Sequence, residues 1–268
     1  MAEGSGGSVC LVTGASRGIG EAVARRLAEM GATVVMASRD PQQLELARAR
    51  MARRERTIAV ACDVTQTEDL RRLVELVLER FGRIDLLVNN AGYGLVDAVE
   101  TMDAAACRAM FETNLFGALA AMQAVIPVMK KQGSGMIVNI CSVAGHIAVP
   151  YMSAYGATKS SLIWFSRAAR LELRGTGVHV CALCPGYVNT EFNQHAVRGR
   201  QDRTVDSSLK MGITPERVAR AVVRAWKGRR REMIVPWHNW PVVWLSRLWP
   251  GLFEWAMMRA IGASGKRP

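Results

Sequence analysis

The sequence predicts an α/β fold, in which helices cover both faces of a parallel sheet, and three observations support this prediction. Short apolar runs alternate with helix-like stretches along the chain. A glycine-rich turn joins the first apolar run to the first helical pattern. The chain has 268 residues, half of them apolar, and no internal repeat. Strands that alternate with helices form parallel sheets, and this length suits one domain with a large core.

The predicted elements follow in a regular order. Apolar runs predict strands at 9–13, 32–37, 57–61, 84–88, 136–141, 178–183 and 233–235. Helix-like stretches lie near 19–30, 41–54, 67–81, 104–131, 154–174 and 215–227. Thr65–Glu68 has the pattern of a capping box, and Thr214 with Pro215 opens the last of these helices, which Gly228 closes. The order predicts a Rossmann-type, doubly wound sheet of about seven strands in a single domain over residues 1–268.

The glycine-rich turn has the pattern of a dinucleotide site. It reads Thr13-Gly14-Ala15-Ser16-Arg17-Gly18-Ile19-Gly20, between the first strand and the first helix. Its glycines let the backbone approach phosphates, and the helix start offers free N–H groups and a positive dipole end. Because glycine-rich loops are common, the turn carries weight only together with other motifs.

The end of the second strand predicts the choice of cofactor. Ser38 stands where NAD-specific sites usually place an acid that binds the ribose hydroxyl, and Arg39 follows it. Arg17 lies in the glycine turn beside the same ribose, and guanidinium groups match a 2′-phosphate. NADP(H) is therefore expected in preference to NAD(H). If Asp40 faces the ribose instead of Ser38, the preference reverses.

A tyrosine and a lysine four residues apart, Tyr155 and Lys159, share one face if they lie on a helix. An ammonium group beside a phenol favours the phenolate and lowers the tyrosine pKa from about 10. The pair predicts a tunable acid/base, although a solvated helix face shows the same spacing.

The ordered set of motifs resembles the classical short-chain dehydrogenase/reductase family over residues 9–236. Besides the glycine turn, the set contains Asn89-Asn90-Ala91-Gly92, Asn114, Ser142 thirteen residues before Tyr155, and Pro185-Gly186-Tyr187-Val188-Asn189-Thr190. The resemblance implies an oxidoreductase that moves hydride between a nicotinamide and a carbonyl or carbinol carbon. A sensor that binds NADP(H) without turnover is the alternative of another class, against which the intact catalytic set argues.

The resemblance also implies residue roles. Tyr155 is the general acid/base, Ser142 hydrogen-bonds the substrate oxygen, and Lys159 tunes Tyr155 and binds the nicotinamide ribose. Asn114 would hold a water that relays protons to Lys159, or else satisfy local backbone. Asp63 and Val64 are expected at the adenine, and Val188 and Thr190 at the carboxamide. Residues expected to contact the cofactor are Gly14, Ser16, Arg17, Gly18, Ile19, Gly20, Ser38, Arg39, Asp63, Val64, Asn90, Ala91, Gly92, Tyr155, Lys159, Pro185, Gly186, Val188 and Thr190. For Asn89, bracing the sheet and touching the ligand both stay open.

Two segments beyond the predicted core, residues 9–190, are expected to set substrate choice. Residues 191–213 are polar, which suits a mobile lid or an ordinary surface loop. The extension at 236–268 holds five of the seven tryptophans, and its prolines and charges keep each apolar run far below the ~20 residues that span a bilayer. This extension predicts a wall or lid for a bulky lipophilic substrate, such as a steroid, a retinoid or a fatty-acyl derivative. A peripheral membrane contact and a subunit contact are the alternatives.

Charge and cysteine usage narrow the partners. The formal charge is +12, yet no nucleic-acid recognition module accompanies it, so a basic surface, an acidic carrier or an anionic membrane remains. A 3-oxoacyl reductase that serves an acyl carrier protein is therefore an alternative function. Cys181 and Cys184 should point to opposite faces of a strand, the histidines lack metal-ligand spacing, and no metal is expected. A reducing cytoplasm is the expected compartment.

A homodimer or homotetramer is also expected, with an interface near residues 112–131 and 154–174. Small side chains in the second of these segments would permit close packing between subunits. They are Ala154, Ala157, Ser161 and Ala168. Buried core is the alternative explanation for the same residues.

Overall fold

A seven-stranded parallel sheet forms the centre of the computed structural model, which describes residues 7–199 and 212–263. The strands are β1 (Val9–Thr13), β2 (Thr33–Ser38), β3 (Thr57–Ala61), β4 (Leu86–Asn89), β6 (Gly135–Ile140), β7 (Val178–Pro185) and β9 (Glu232–Val235). Their order is β3-β2-β1-β4-β6-β7-β9, and every pairing is parallel. The strand order reverses between β1 and β4, and in such sheets the crevice at this point binds ligands. The predicted doubly wound fold is confirmed.

Helices cover both faces of the sheet. They are α1 (Gly18–Glu29), α2 (Pro41–Ala49), α3 (Thr67–Phe81), α4 (Ala104–Phe111), α5 (Gly117–Gln132), α6 (Ser153–Glu172), α7 (Pro215–Lys227), α8 (Trp240–Leu248) and α9 (Pro250–Ala263). Along β1, Cys10 and Val12 pack on the side of α1 and α7, whereas Val9 and Leu11 pack on the side of α3 and α5. This alternation divides the core into one layer on each side of the sheet.

Two helix ends differ from the sequence-based predictions. The capping box is wrong, because α3 begins at Thr67 and the Thr65 hydroxyl instead donates to Asp63. The predicted helix at 41–54 ends at Ala49. The start of α7 is confirmed, since the Thr214 side chain accepts a hydrogen bond from the backbone N–H of Arg217.

The helical stretch Ala104–Gln132 passes through a π-helical turn, Glu112–Phe116, between α4 and α5. By length and composition it could cross a membrane, but half of its most apolar window is buried inside the protein. Val125 and Met129 of α5 are fully buried in the core cluster on one side of the sheet, so the stretch is a core helix.

The tryptophan-rich extension forms the helices α8 and α9, which pack against each other. Val243 is buried in a cluster with Leu162 of α6 and Ile234 of β9, and this contact attaches α8 to the edge of the sheet. A small second sheet pairs β5 (Leu95–Val96) with β8 (Val197–Arg198). Residues 200–211 of the predicted lid lie outside the described residues.

Cys181 and Cys184 belong to core clusters on opposite faces of β7, as the sequence predicts. Both thiols are free and buried, and burial raises the pKa of Cys181 to about 12. Within residues 7–199 and 212–263, no group of three or more histidine, cysteine or acidic side chains could hold a metal ion.

Candidate active site

A cavity of about 1390 Å³ opens at the carboxyl ends of the central strands. Residues from the glycine turn, from the ends of β2, β4, β6 and β7, and from α6 and α8 line it. The predicted site residues in its wall are Gly14, Ser16, Arg17, Gly18, Ile19, Ser38, Arg39, Val64, Asn90, Ala91, Gly92, Ser142, Tyr155, Lys159, Pro185, Gly186, Val188 and Thr190. One cavity therefore collects motifs that are scattered over most of the sequence.

The glycine turn has the close backbone packing that a phosphate cradle requires. Gly14 has a φ of +63° and Gly18 a φ of +57°, in the left-handed region that favours glycine. A Cβ on Gly14 would lie 2.8 Å from the Cα of Ala91, and one on Gly20 would overlap the carbonyl oxygen of Gly14. A nicotinamide dinucleotide fits this turn, because Gly14 and Gly18 line the cavity and present only backbone to it at these two positions.

Side chains at the end of β4 brace the turn. The Asn90 amide donates to the carbonyl oxygens of Thr13 and Gly14, both at 3.0 Å. The Thr13 hydroxyl accepts from the backbone N–H groups of Asn90 and Ala91. Asn89 braces the sheet by donating to Asn139 and to the carbonyl oxygen of Ala118.

At the end of β2, the structure separates Ser38 from Asp40. The Ser38 hydroxyl donates to that of Ser16 at 3.2 Å, and both line the cavity. The Asp40 carboxylate accepts from the backbone N–H groups of Gln42 and Gln43 at 3.0 Å, so it caps α2 and does not line the cavity. Asp40 therefore does not replace Ser38 in the cavity wall, which is the arrangement that would reverse the expected preference for NADP(H).

Tyr155 and Lys159 lie side by side on α6, as predicted, but their electrostatics differ from the expectation. Tyr155 is only 8% exposed and Lys159 only 5% exposed. Burial raises the pKa of Tyr155 to about 12, although the hydrogen bond with Ser142 acts in the opposite direction and lowers it. Burial also lowers the pKa of Lys159. The ammonium lies 5.8 Å from the centre of the phenol ring and donates to the carbonyl oxygen of Ile140 at 2.9 Å. The expectation that Lys159 lowers the Tyr155 pKa is therefore wrong here, because desolvation of the phenol dominates.

Ser142 caps a short 3-10 turn, Val143–Gly145, that packs closely against α6. Its hydroxyl accepts from the backbone N–H of Ala144 at 3.1 Å. A Cβ on Gly145 would lie 2.8 Å from the backbone carbon of Lys159, and one on Gly156 would lie 2.8 Å from the carbonyl oxygen of Ala144. The two glycines thus hold the serine turn against the helix that carries Tyr155 and Lys159.

Asn114 lies in the π-helical turn and braces the loop after β4. Its side chain accepts from the backbone N–H of Tyr93 at 3.0 Å and donates to the carbonyl oxygen of Tyr93 at 2.9 Å. It also donates to the Thr158 hydroxyl at 3.3 Å. Bulges of this kind are frequent at functional sites. Asn114 does not line the cavity, so its contacts match the backbone-bracing alternative, and the water relay stays a prediction.

Two further predicted contacts do not face the cavity. Gly20 packs behind the turn, against Gly14 and Asn90. The Asp63 carboxylate accepts from the backbone and hydroxyl of Thr65, while Cys62 and Val64 line the cavity on either side of it. For both residues, a role at the cofactor stays a prediction.

Sequence reasoning missed several residues that meet at the site. Phe192 packs edge-on against the Tyr155 ring, with the ring centres 5.5 Å apart. The Arg17 guanidinium lies 2.6 Å from His195 Nε2, so the described part of the predicted lid touches the cofactor end of the cavity. Val242 and Met257 bring α8 and α9 into the wall. No sequence motif predicted these contacts, because they depend on how the last third of the chain packs against the cavity.

His146 connects the serine turn to the C-terminal helices. It is buried, with Nδ1 3.1 Å from the Arg247 guanidinium of α8 and Nε2 3.3 Å from the Glu232 carboxylate. Arg167 of α6 completes the network on Glu232. Burial raises the pKa of Glu232, but the hydrogen bonds from His146 and Arg167 outweigh it and hold that pKa below its usual value.

Comparison with known proteins agrees with this site. The family model described as short chain dehydrogenase matches residues 8–201. The chain belongs to this family. It is therefore an oxidoreductase that acts on CH–OH or keto groups, with a nicotinamide cofactor.

Two relatives of the short-chain dehydrogenase align with most of its length. It is 40% identical over 235 residues to the ketoacyl reductase HetN of a Nostoc species, covering 85% of this chain and 78% of that protein. It is 31% identical over 269 residues to dehydrogenase/reductase SDR family member 7B of Danio rerio, covering 96% of this chain and 87% of that protein.

Solved structures of similar shape hold nicotinamide cofactors. A short-chain dehydrogenase/reductase of Burkholderia phymatum in complex with NAD matches with a TM-score of 0.84 and 27% identity, covering 94% of this chain and 96% of that one. A 3-ketoacyl-(acyl-carrier-protein) reductase of Brucella melitensis complexed with NADH matches with a TM-score of 0.77 and 28% identity, covering 86% and 97%.

Proposed function

We propose that this short-chain dehydrogenase is an NADP(H)-dependent reductase of lipophilic ketones or aldehydes. The observation that carries the proposal is that a single cavity has two unlike ends. One end presents arginines beside the glycine turn, and the other end is apolar and receives side chains from α8 and α9. A charged cofactor and an apolar substrate would then meet at Tyr155, between the two ends.

The cofactor end supports NADP(H) over NAD(H). Arg17 and Arg39 line the cavity beside the Ser16–Ser38 hydroxyl pair. Two guanidinium groups and two hydroxyls offer the donors that a 2′-phosphate accepts. At the end of β2, where an acid would bind a free ribose hydroxyl, Ser38 and Arg39 line the cavity, and Asp40 caps α2 instead.

The substrate end supports a lipophilic carbonyl compound. Its apolar lining includes Val96, Val143, Ile147, Val149, Met152, Val242 and Met257. Ligand pockets that are mostly apolar, with few polar groups, bind apolar molecules and orient them at those groups. Among the polar groups of the cavity, the Ser142 hydroxyl and the Tyr155 phenol would both meet a carbonyl oxygen.

The Tyr155 phenol is the proton donor that reduction of a carbonyl needs. Burial raises its pKa to about 12, in the direction that keeps the phenol protonated. The bound nicotinamide supplies the hydride. Tyr155 would donate its proton to the carbonyl oxygen, Ser142 would hydrogen-bond that oxygen as charge develops, and Lys159 would hold the cofactor ribose beside them.

A second candidate is reduction of a 3-oxoacyl thioester carried by an acidic acyl carrier protein. The 40% identity to a Nostoc ketoacyl reductase favours it, as does the formal charge of +12. The exposed tryptophans of the C-terminal helices do not help to bind an acidic carrier, which makes it the second choice.

The proposal includes a homodimer or homotetramer in the cytoplasm. On the expected interface, Phe116, Trp164, Phe165 and Leu171 are exposed apolar side chains, which supports a subunit contact there. Ala157 and Ala168 are exposed on the same helix, but Ala154 is buried in the core and cannot take part.

Steady-state assays with both cofactors test the proposal. The substrates are short and long methyl ketones and a 3-oxoacyl thioester, free and on an acyl carrier protein. Because each buried methylene contributes about 0.8 kcal/mol, kcat/KM should rise by up to about fourfold per methylene, with NADPH preferred. A large preference for the carrier-bound thioester would favour the second candidate, and no turnover of any carbonyl would reject both.

A further inference from the structure

The C-terminal helices carry an apolar surface on the side that faces away from the cavity. Val243 and Phe253 point into the protein and are buried. On the outside, seven large side chains are each more than half exposed: Trp237, Trp244, Leu248, Trp249, Leu252, Trp255 and Met258. Soluble proteins rarely leave a continuous apolar patch of this kind without a binding partner.

A basic groove borders this apolar surface. Arg217, Arg220 and Arg224 of α7 are spaced to share one helix face, and together with Trp237 they line a cavity of about 480 Å³. None of these three arginines has an ion-pair partner among the residues that the structure describes. The groove thus offers free guanidinium groups beside an exposed tryptophan.

The C-terminal segment carries mostly positive charge. Between Trp237 and Pro268, Glu254 is the only acidic side chain. The Arg259 guanidinium stacks on the exposed Trp255 ring at 4.5 Å, which keeps a cation next to the apolar surface. Exposed tryptophans next to arginines are typical of segments that lie in the interface of an anionic bilayer.

We infer that this surface binds the headgroup region of an anionic phospholipid bilayer. The tryptophans enter the interface, and the α7 arginines meet the lipid phosphates. α8 has 9 residues and α9 has 14, and spanning takes ~20, so the helices lie on the membrane and do not cross it. A second copy of this chain fits less well, because a two-fold contact would set the arginine groove against itself.

The same helices form part of the cavity wall on their other side, through Val242 and Met257, and Asn239 joins them just before α8 begins. A carbonyl compound dissolved in the bilayer therefore enters the cavity beside α8 without crossing bulk water. This entry route rests on the proposed function, whereas the membrane contact stands without it.

Co-sedimentation of the full chain with vesicles tests the contact. Binding is expected to phosphatidylcholine vesicles that contain phosphatidylglycerol, and much less to phosphatidylcholine alone. Removing three cations by Arg217→Gln, Arg220→Gln and Arg224→Gln should weaken binding about a hundredfold, because each basic residue near the surface contributes roughly 1 kcal/mol. The matched control removes the same charge elsewhere, at exposed positions, by Arg56→Gln, Arg80→Gln and Arg108→Gln, and should bind nearly as wild type.

The apolar half of the surface has its own variant pair. Trp249→Ser with Trp255→Ser should weaken vesicle binding by at least about tenfold, because both side chains leave water on binding. Leu46→Ser with Val99→Ser removes two exposed apolar side chains elsewhere and should change it little. All four side chains are exposed, so the variants should fold, which circular dichroism checks.

Three results would overturn the inference: no binding of wild type to anionic vesicles, equal losses in variants and controls, or a tryptophan variant that dissociates an oligomer in light scattering without affecting vesicle binding. If wild type reduces ketones but ignores vesicles, the inference fails and the proposed function stands. If it binds vesicles as described but reduces no carbonyl, the membrane contact stands and the proposed function fails.

Discussion

The cofactor end of the cavity and its C-terminal wall are built in different ways. The cofactor end is made of strand ends and backbone, and side chains such as Thr13 and Asn90 brace it through hydrogen bonds. The C-terminal wall is attached through a few apolar contacts at Val243 and Phe253, and through the bond between His146 and Arg247. In the proposed function, the cofactor end positions the chemistry, and the C-terminal wall provides the surface that meets the substrate.

The largest effect on activity should come from a change near the cofactor end, at Tyr155. Tyr155→Phe keeps the ring packed against Phe192 but removes the proton donor, so kcat should fall by about 10²–10⁴. Cofactor affinity, measured by fluorescence titration, should change little. Tyr151→Phe is the control, since Tyr151 does not line the cavity. Near-normal turnover of Tyr155→Phe would remove Tyr155 from the mechanism.

The next largest effect concerns cofactor choice. Arg39→Ala should weaken the binding of NADPH by about ten- to a hundredfold and leave the binding of NADH nearly unchanged. The reason is that a hydrogen bond to a charged group contributes roughly 1.5–3 kcal/mol. Arg56→Ala, at an exposed position off the cavity, is the matched control. Equal losses for both cofactors would show that Arg39 does not recognise the 2′-phosphate.

Variants in the network that attaches the C-terminal wall should lower the free energy of unfolding. His146→Ala removes a donor from Glu232 and should lower the free energy of unfolding by about 1–3 kcal/mol, since Glu232 is largely buried. Arg247→Met removes a more exposed partner and should cost less than about 1 kcal/mol. Urea denaturation measures both, and a larger loss for Arg247→Met would contradict the view that His146 is the centre of this network.

The smallest effect is expected from pH in the neutral range. Burial raises the Tyr155 pKa to about 12, so the phenol keeps its proton until the pH rises towards that value. The kcat/KM for reduction should therefore vary by less than about tenfold between pH 6 and pH 9 and fall only at higher pH. A loss of activity centred near pH 7, carried by Tyr155, would mean that the phenol is far more acidic than its burial implies.

The cofactor end could be predicted from sequence because its physics is local. Gly14 and Gly18 lie in one turn, and Tyr155 and Lys159 lie four residues apart on one helix, so their spacing alone indicates how they meet. The Tyr155 pKa was predicted in the wrong direction, because the sequence shows the nearby lysine but not the burial that outweighs it.

For the C-terminal wall, the sequence predicts the apolar nature of the segment but not its contacts. The tryptophans and prolines indicated an apolar wall that does not span a membrane, but not that Val242 and Met257 would line the cavity. The contacts of Phe192 with Tyr155 and of His146 with Arg247 join residues far apart in sequence, and no local pattern predicts such pairs. The role of Asp40 as a cap was likewise open, because an acid at the end of β2 suits either a ribose or a helix start.

The most direct measurement compares substrates of different length in a variant of the wall. Val242→Glu places a charge in the apolar lining, whereas Val99→Glu places the same charge at an exposed site outside the cavity. With NADPH, Val242→Glu should lower kcat/KM for a long methyl ketone by at least about tenfold and for a short one far less, because burying an apolar chain against a charge is unfavourable. Val99→Glu should match wild type for both. If Val242→Glu lowers kcat/KM equally for long and short ketones, or for neither, α8 is not the wall that receives the substrate.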